Sequence, residues 1–223
     1  MKNLKKERMM LMKAYQIKIT LIDSVPLIWR RVIVPAEITF KRLHDVIQFS
    51  MGWKDYHLYE FNIKEENLRI TCDEEVVDEY EFYSKMRLTK ENDLHGFIGN
   101  ILKVKPKLSS KVKIDKLLTK VKSVEYIYDF GDYWRHDITL EDVVENYEYG
   151  HPICVDAKGA CPPEDVGGIP GYAEFLEVMK DKNHPEHERL KEWADSQYYK
   201  DTFNIEHTNI LMAGILKLKK VKK

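Results

Sequence analysis

Asp129, Asp132 and His136 fall within eight residues, Asp129-Phe130-Gly131-Asp132-Tyr133-Trp134-Arg135-His136, around a glycine-containing turn. Carboxylate oxygens and an imidazole nitrogen held close together are ligands for a divalent metal. Glu164 and Asp165, from a later loop, offer to complete such a centre, which would suit metal-assisted phosphodiester hydrolysis. The same residues have a plainer use. Turn aspartates hydrogen-bond their own backbone, so Asp132 serves as a turn cap and His136 packs beside Trp134.

Other candidates have weaker patterns. Cys154 and Cys161, with His136 or His151, carry zinc-type donors, but six residues separate the thiols where structural zinc sites hold a close pair. Buried, inert thiols account for them better. Over 162–171, two prolines stiffen the chain, Glu164 and Asp165 follow, and Gly167 and Gly168 open unusual backbone angles before a helix. Such a lead can bind an anion through exposed N–H groups. The two carboxylates oppose phosphate without a bridging cation, and a rigid loop docking the C-terminal helices is the plainer role. Arg30 and Arg31, beside Trp29, offer either a clamp for phosphate or carboxylate or pairing with the acidic C-terminal half. His44 and Gln48 stand one helical turn apart.

Elements must hold these residues in place. Alternating apolar and polar side chains predict strands over 15–22 and 27–34, the second ended by Pro35. Thr39 is placed to cap a helix through Met51, with Leu43, Val46, Ile47 and Met51 as its apolar stripe and Gly52 as its stop. Strands over 57–63 and 68–72 read as a hairpin, and the acidic run from Asp73 to Glu81 as a solvated loop. A short helix is expected over 114–121. The clearest hairpin spans 122–129 and 133–143, and 146–170 reads as an irregular, ordered loop. Helices follow over 171–180, from Pro185 to about Asp195, and from near Asn204 into a lysine tail. Strands first and helices last, without a βαβ rhythm, predict an α+β fold. The expectation is an antiparallel sheet with packed helices in a single compact domain. Residues 1–13 read as a basic tail, 14–201 as the domain, and 202–223 as a C-terminal helix with a lysine-rich end.

Charge is segregated along the chain. The net charge of −1 conceals residues 85–122, where eleven basic groups meet three acidic ones, and residues 124–201, where seven face nineteen. Lys103, Lys105, Lys107, Lys111 and Lys113 in the basic stretch form a phosphate-binding footprint or simply a solvated face. Apolar residues at 43 % and charged residues at 33 % indicate a globular chain rather than a disordered one. No run approaches the length of a membrane span, no signal-peptide core follows the first lysines, and three cysteines are unlike a disulfide framework. A cytoplasmic location is expected.

Four segments carry a resemblance: Pro-Leu-Ile-Trp-Arg-Arg (26–31), Leu-His-Asp-Val-Ile-Gln (43–48) with Met-Gly-Trp (51–53), Tyr-Asp-Phe-Gly-Asp-Tyr-Trp-Arg-His (128–136), and Ala-Cys-Pro-Pro-Glu-Asp-Val-Gly-Gly (160–168). In order and spacing they resemble the plasmid pRiA4b open-reading-frame-3-like family across about residues 15–195. The resemblance implies a compact α+β protein associated with plasmids and insertion elements, and it supplies no activity. Two departures stand out, Gly159 where the family often has Arg and Val166 where it often has a third Cys; the basic stretch 85–122 looks like an insertion. The expectation is therefore a mobile-element-associated interaction module whose partner is nucleic acid or another protein. The alternative is a divalent-metal-dependent hydrolase or nuclease built on Asp129, Asp132, Trp134, His136, Glu164 and Asp165.

Overall fold

In the computed structural model, residues 11–86 and 96–216 are described. The alternation read near the N-terminus becomes β1 (Met12–Leu21), which pairs with β2 (Trp29–Pro35). Helix α1 (Phe40–Met51) follows; the Thr39 side chain accepts from the Arg42 N–H at its start, and Gly52 ends it at φ 112°. A residue with a Cβ is strained at that angle, so glycine makes the stop. Next come β3 (Tyr59–Ile63) and β4 (Leu68–Thr71), paired as a hairpin.

Three expectations are corrected here. The acidic run forms helix α2 (Glu74–Ser84), because Asp73 accepts from the Glu75 N–H and the first-turn acids suit the helix N-terminus. The basic stretch holds a short helix α3 (Phe97–Ile101) and a strand β5 (Lys105–Leu108), while Ile114–Lys116 makes only one 3₁₀ turn. After β6 (Ser123–Tyr128) and β7 (Trp134–Tyr147), the expected irregular loop contains β8 (Ile153–Lys158), which pairs along β2. Helices α4 (Gly168–Lys180), α5 (His187–Ser196) and α6 (Ile205–Ile215) close the chain.

Among the described residues, eight strands join one sheet in the order β5-β4-β3-β6-β7-β1-β2-β8. Every pairing is antiparallel except β4 with β5. The fold is α+β in a single domain. Directly paired residues share a sheet face, so Phe61, Tyr126, His136 and Leu21 lie on one side, where the apolar stripe of α1 packs. The opposite face carries ion pairs, among them Arg31–Glu141, Arg135–Glu125 and Arg69–Glu60. Among the described residues, no helix is long and apolar enough to cross a membrane. Residues 1–10 and 217–223, which hold most of both basic tails, lie outside the described residues.

Candidate metal centre

Three separate segments converge at the end of the sheet where β6 finishes and β3 begins. Asp129 follows β6 with φ 57°, its backbone N–H donating to the Leu58 carbonyl and its Oδ1 accepting from the Gly131 N–H. That leaves Oδ2 facing His57 Nε2 at 3.6 Å. Glu164 and Asp165 arrive on the loop between β8 and α4, placing Oε2 and Oδ1 at 3.9 Å and 3.3 Å from the same imidazole nitrogen.

Local backbone chemistry holds each approach. The loop over 54–56 gives three successive N–H groups to side chains: Lys54 to Glu164 Oε1 (2.7 Å), Asp55 to Gln48 Oε1 (2.8 Å), and Tyr56 to the Tyr128 hydroxyl (3.0 Å). The acidic loop is fastened to the β6–β7 turn through Asp132, whose carboxylate accepts from the Gly167 N–H at 3.1 Å. Next to it, Gly168 has φ +66°, and an added Cβ would collide with the Asp132 carbonyl oxygen. The Gly167-Gly168 pair therefore lets this loop lie directly on the turn that carries Asp129.

Three carboxylates face one imidazole. Side-chain exposure rises from 2 % at Glu164 and 9 % at Asp129 to 29 % at His57 and 63 % at Asp165, so the cluster is closed on one side and open on the other. Glu164 Oε1 accepts from Lys54 N–H and the Tyr128 hydroxyl. Glu164 Oε2 and His57 Nε2 are buried with no hydrogen-bond partner. Burial raises the Glu164 carboxyl above its ordinary value, against the two hydrogen bonds that lower it. Burial likewise raises the Tyr128 phenol, helped by the neighbouring Glu164 charge.

A buried polar atom without a partner is expensive, and two that face each other beside two more carboxylates call for a shared partner. Ligand atoms of His57, Asp129 and Asp165 all lie within 4.8 Å of one another. A manganese or zinc ion with bonds of about 2.0–2.2 Å places opposite ligands roughly 4 Å apart, so small shifts of these three groups would seat it, with Glu164 outside that group.

The structure brings together Asp129, Glu164 and Asp165 from the sequence candidates and separates the rest. Asp132 serves the loop. Trp134 is fully buried, against Trp53. His136 donates from Nδ1 to the Trp134 carbonyl at 3.2 Å deep in the sheet, and burial lowers its pKa to about 4. His57 was missed because its partners come from 129 and 164–165; no local spacing announces it.

The remaining candidates have other partners. Arg30 is buried, with its guanidinium donating to the carbonyls of Ser50 (2.6 Å), Trp29 (2.9 Å) and Lys158 (3.0 Å), so it is no surface anion clamp. Arg31 pairs with Glu141 at 2.6 Å and Asp156 at 2.8 Å. His44 is buried between Tyr126 and Asp55, each 2.8 Å away. Gln48 donates to the Tyr126 hydroxyl, which then donates to His44 Nδ1, leaving the His44 Nε2–H for Asp55. The cysteines are free; burial raises Cys154 to about 11, and neither Cys154 nor Cys161 joins a metal-type cluster among the described residues. Lys103, Lys105, Lys107, Lys111 and Lys113 are all exposed, and Lys113 pairs with Glu37 at 3.4 Å. Lys105, Lys107, Lys111 and Lys116 line a cleft of about 370 Å³, whose other wall includes Glu81 of the acidic helix α2.

Comparison with known proteins agrees with this architecture. The family model described as Plasmid pRiA4b ORF-3-like protein matches residues 13–207. An uncharacterized protein, y4hQ, of Sinorhizobium fredii is 36 % identical over 190 residues, covering 85 % of each chain. A crystal structure of a protein of unknown function, MM3350, from Methanosarcina mazei is similar with a TM-score of 0.68 and 31 % identity, over 89 % of this chain and 98 % of that one.

Proposed function

The chain belongs to the plasmid pRiA4b ORF-3-like family, and from that premise we propose that His57, Asp129, Glu164 and Asp165 bind a divalent metal that supports hydrolysis. The observation that carries this reading is the buried Glu164 Oε2, which has no hydrogen-bond partner and faces His57 Nε2 at 3.9 Å, with Asp165 and Asp129 oxygens 3.3 Å and 3.6 Å from the same nitrogen. One imidazole and three carboxylates form a mixed nitrogen and oxygen set that suits manganese, iron or zinc better than a thiol-selecting metal. The exposed side at Asp165 would leave room for a water on the ion, whose pKa the ion would lower; that water would add to a phosphorus or acyl centre as the bond to the leaving oxygen breaks, its proton passing to that oxygen. The test is hydrolysis of chromogenic phosphodiester, phosphomonoester and carboxyl ester substrates by protein loaded with manganese or zinc. Turnover that disappears with a chelator and in Glu164→Gln supports the reading; no turnover of any ester with bound metal removes the hydrolytic part.

The lysine-lined cleft favours a second reading, a phosphate-binding surface at the β5 edge of the sheet. Glu81 of acidic α2 lines the same cleft and offsets its charge, so this surface supports nucleic-acid contact less strongly than the raw sequence charge does. A salt series on DNA and RNA binding tests it. Steep weakening with salt that is relieved in a Lys105, Lys107 and Lys111 to Gln variant supports it, and no binding at low salt removes it.

A further inference from the structure

We infer that the ligand of this centre is a nucleotide, its phosphate on the metal and its base stacked on the aromatic rim; this rests on the metal reading above. Three large rings stand in solvent on residues adjacent in the chain to the proposed ligands or bonded to their backbone: Tyr56 at 68 % exposure, Phe130 at 47 % and Tyr133 at 52 %. Tyr56 immediately precedes His57, Phe130 immediately follows Asp129, and the Tyr133 N–H donates to the Asp129 carbonyl at 2.7 Å. The Tyr56 N–H is held by the Tyr128 hydroxyl and the Tyr133 N–H by the Asp129 carbonyl, so two of the three rings stand on backbone tied to the proposed ligands. Exposed rings on a rigid frame beside a phosphate site are the stacking platform used for single-stranded bases, and every base offers a flat π face.

Charge supports the same occupant. Lys54 Nζ lies 5.7 Å from the Tyr56 ring and donates to Gln197 Oε1 at 2.7 Å, while its backbone N–H donates to Glu164. Its positive charge, held near Tyr56, favours an anion there. Asp129, Glu164 and Asp165 repel phosphate while the centre is empty, so binding of the anion follows binding of the metal. A phosphate-bearing aromatic ligand satisfies the rings, the lysine and the ion together. Free nucleotide and single-stranded nucleic acid share this chemistry.

The probes are manganese, fluorescein-labelled oligothymidylate, and thymidine monophosphate as competitor. Manganese-loaded protein is expected to bind the oligonucleotide, and a chelator to abolish that binding. The triple variant Tyr56→Ala, Phe130→Ala and Tyr133→Asn should lose about tenfold or more in affinity, with its manganese titration unchanged; asparagine is chosen because Tyr133 has φ 57°. Competition by the monophosphate at equal molar concentration identifies a free nucleotide, and competition only at large excess identifies a nucleic-acid chain. Manganese binding without either nucleotide, or a triple variant that binds as wild type does, overturns this inference and leaves the metal centre standing. Failure to bind manganese overturns both.

Discussion

Gly168 lies so close to Asp132 that its missing Cβ is what allows the acidic loop to rest on the β6–β7 turn. The contact joins two chain segments far apart in sequence, and one proposed ligand, Asp129, stands on the turn while two, Glu164 and Asp165, stand on the loop. The spacing of these carboxylates therefore depends on a glycine that takes no part in the cluster.

Gly168→Ala should lower stability by about 1–3 kcal/mol, because the new methyl meets a backbone carbonyl and φ is positive. It should also weaken manganese binding while leaving far-ultraviolet circular dichroism unchanged. Urea unfolding together with metal titration reads both effects. Wild-type metal affinity in this variant would detach the glycine from the site.

Arg30 is a buried cation held by carbonyls, including Ser50 and Met51 at the C-terminal end of α1, with the Phe203 ring 3.9 Å from its guanidinium. The negative end of the helix dipole favours a cation there. Arg30→Met removes the donors and orphans the carbonyls, so a loss of about 3–5 kcal/mol in urea unfolding is expected. A loss under 1 kcal/mol would show that water replaces the guanidinium.

His136 is neutral inside the sheet, with its pKa lowered to about 4 by burial. An unfolded histidine takes up its proton near pH 6.5, so the stability from the buried neutral ring is complete above that value. It is lost as pH falls towards 4, by up to about 3 kcal/mol at 1.36 kcal/mol per unit. His136→Gln should flatten this part of the stability profile. An unchanged slope would place its source elsewhere.

Glu164 titrates in the opposite sense. Its carboxyl is raised in the fold, so its contribution to stability is present below the ordinary carboxylate pKa and disappears as pH rises through the raised value. In chelator, Glu164→Gln should be more stable than wild type at neutral pH and equal to it in acid. Added manganese should reverse the neutral-pH order. Urea midpoints at the two pH values, with and without metal, check it.

The sheet core and α1 were legible because alternation and capping are local signals: Thr39 and Gly52 bound the helix as the sequence suggests. Helix α2 was hidden because its acidic density resembles a solvated loop, and only the Asp73 cap distinguishes it. Strand β8 was hidden among Pro, Gly and Cys residues, since pairing with β2 rather than its own propensity makes it a strand. In the candidate site, Asp129, Glu164 and Asp165 could be named from turn and loop chemistry. His57 could not, because it reads as one more residue at the start of an alternating strand until tertiary structure brings the acidic loop to it. His136 was misplaced for the converse reason: proximity in sequence to Asp132 put it near the turn, but strand alternation points it into the core.

The most direct test of the metal centre is isothermal titration of chelator-stripped protein with manganese, for wild type and Glu164→Gln at neutral pH. One bound ion per wild-type chain, with affinity at least tenfold weaker in the variant and falling in wild type as the pH is lowered, is the predicted result. No binding heat in wild type with manganese or zinc, or equal affinity in the two proteins, would contradict the assignment.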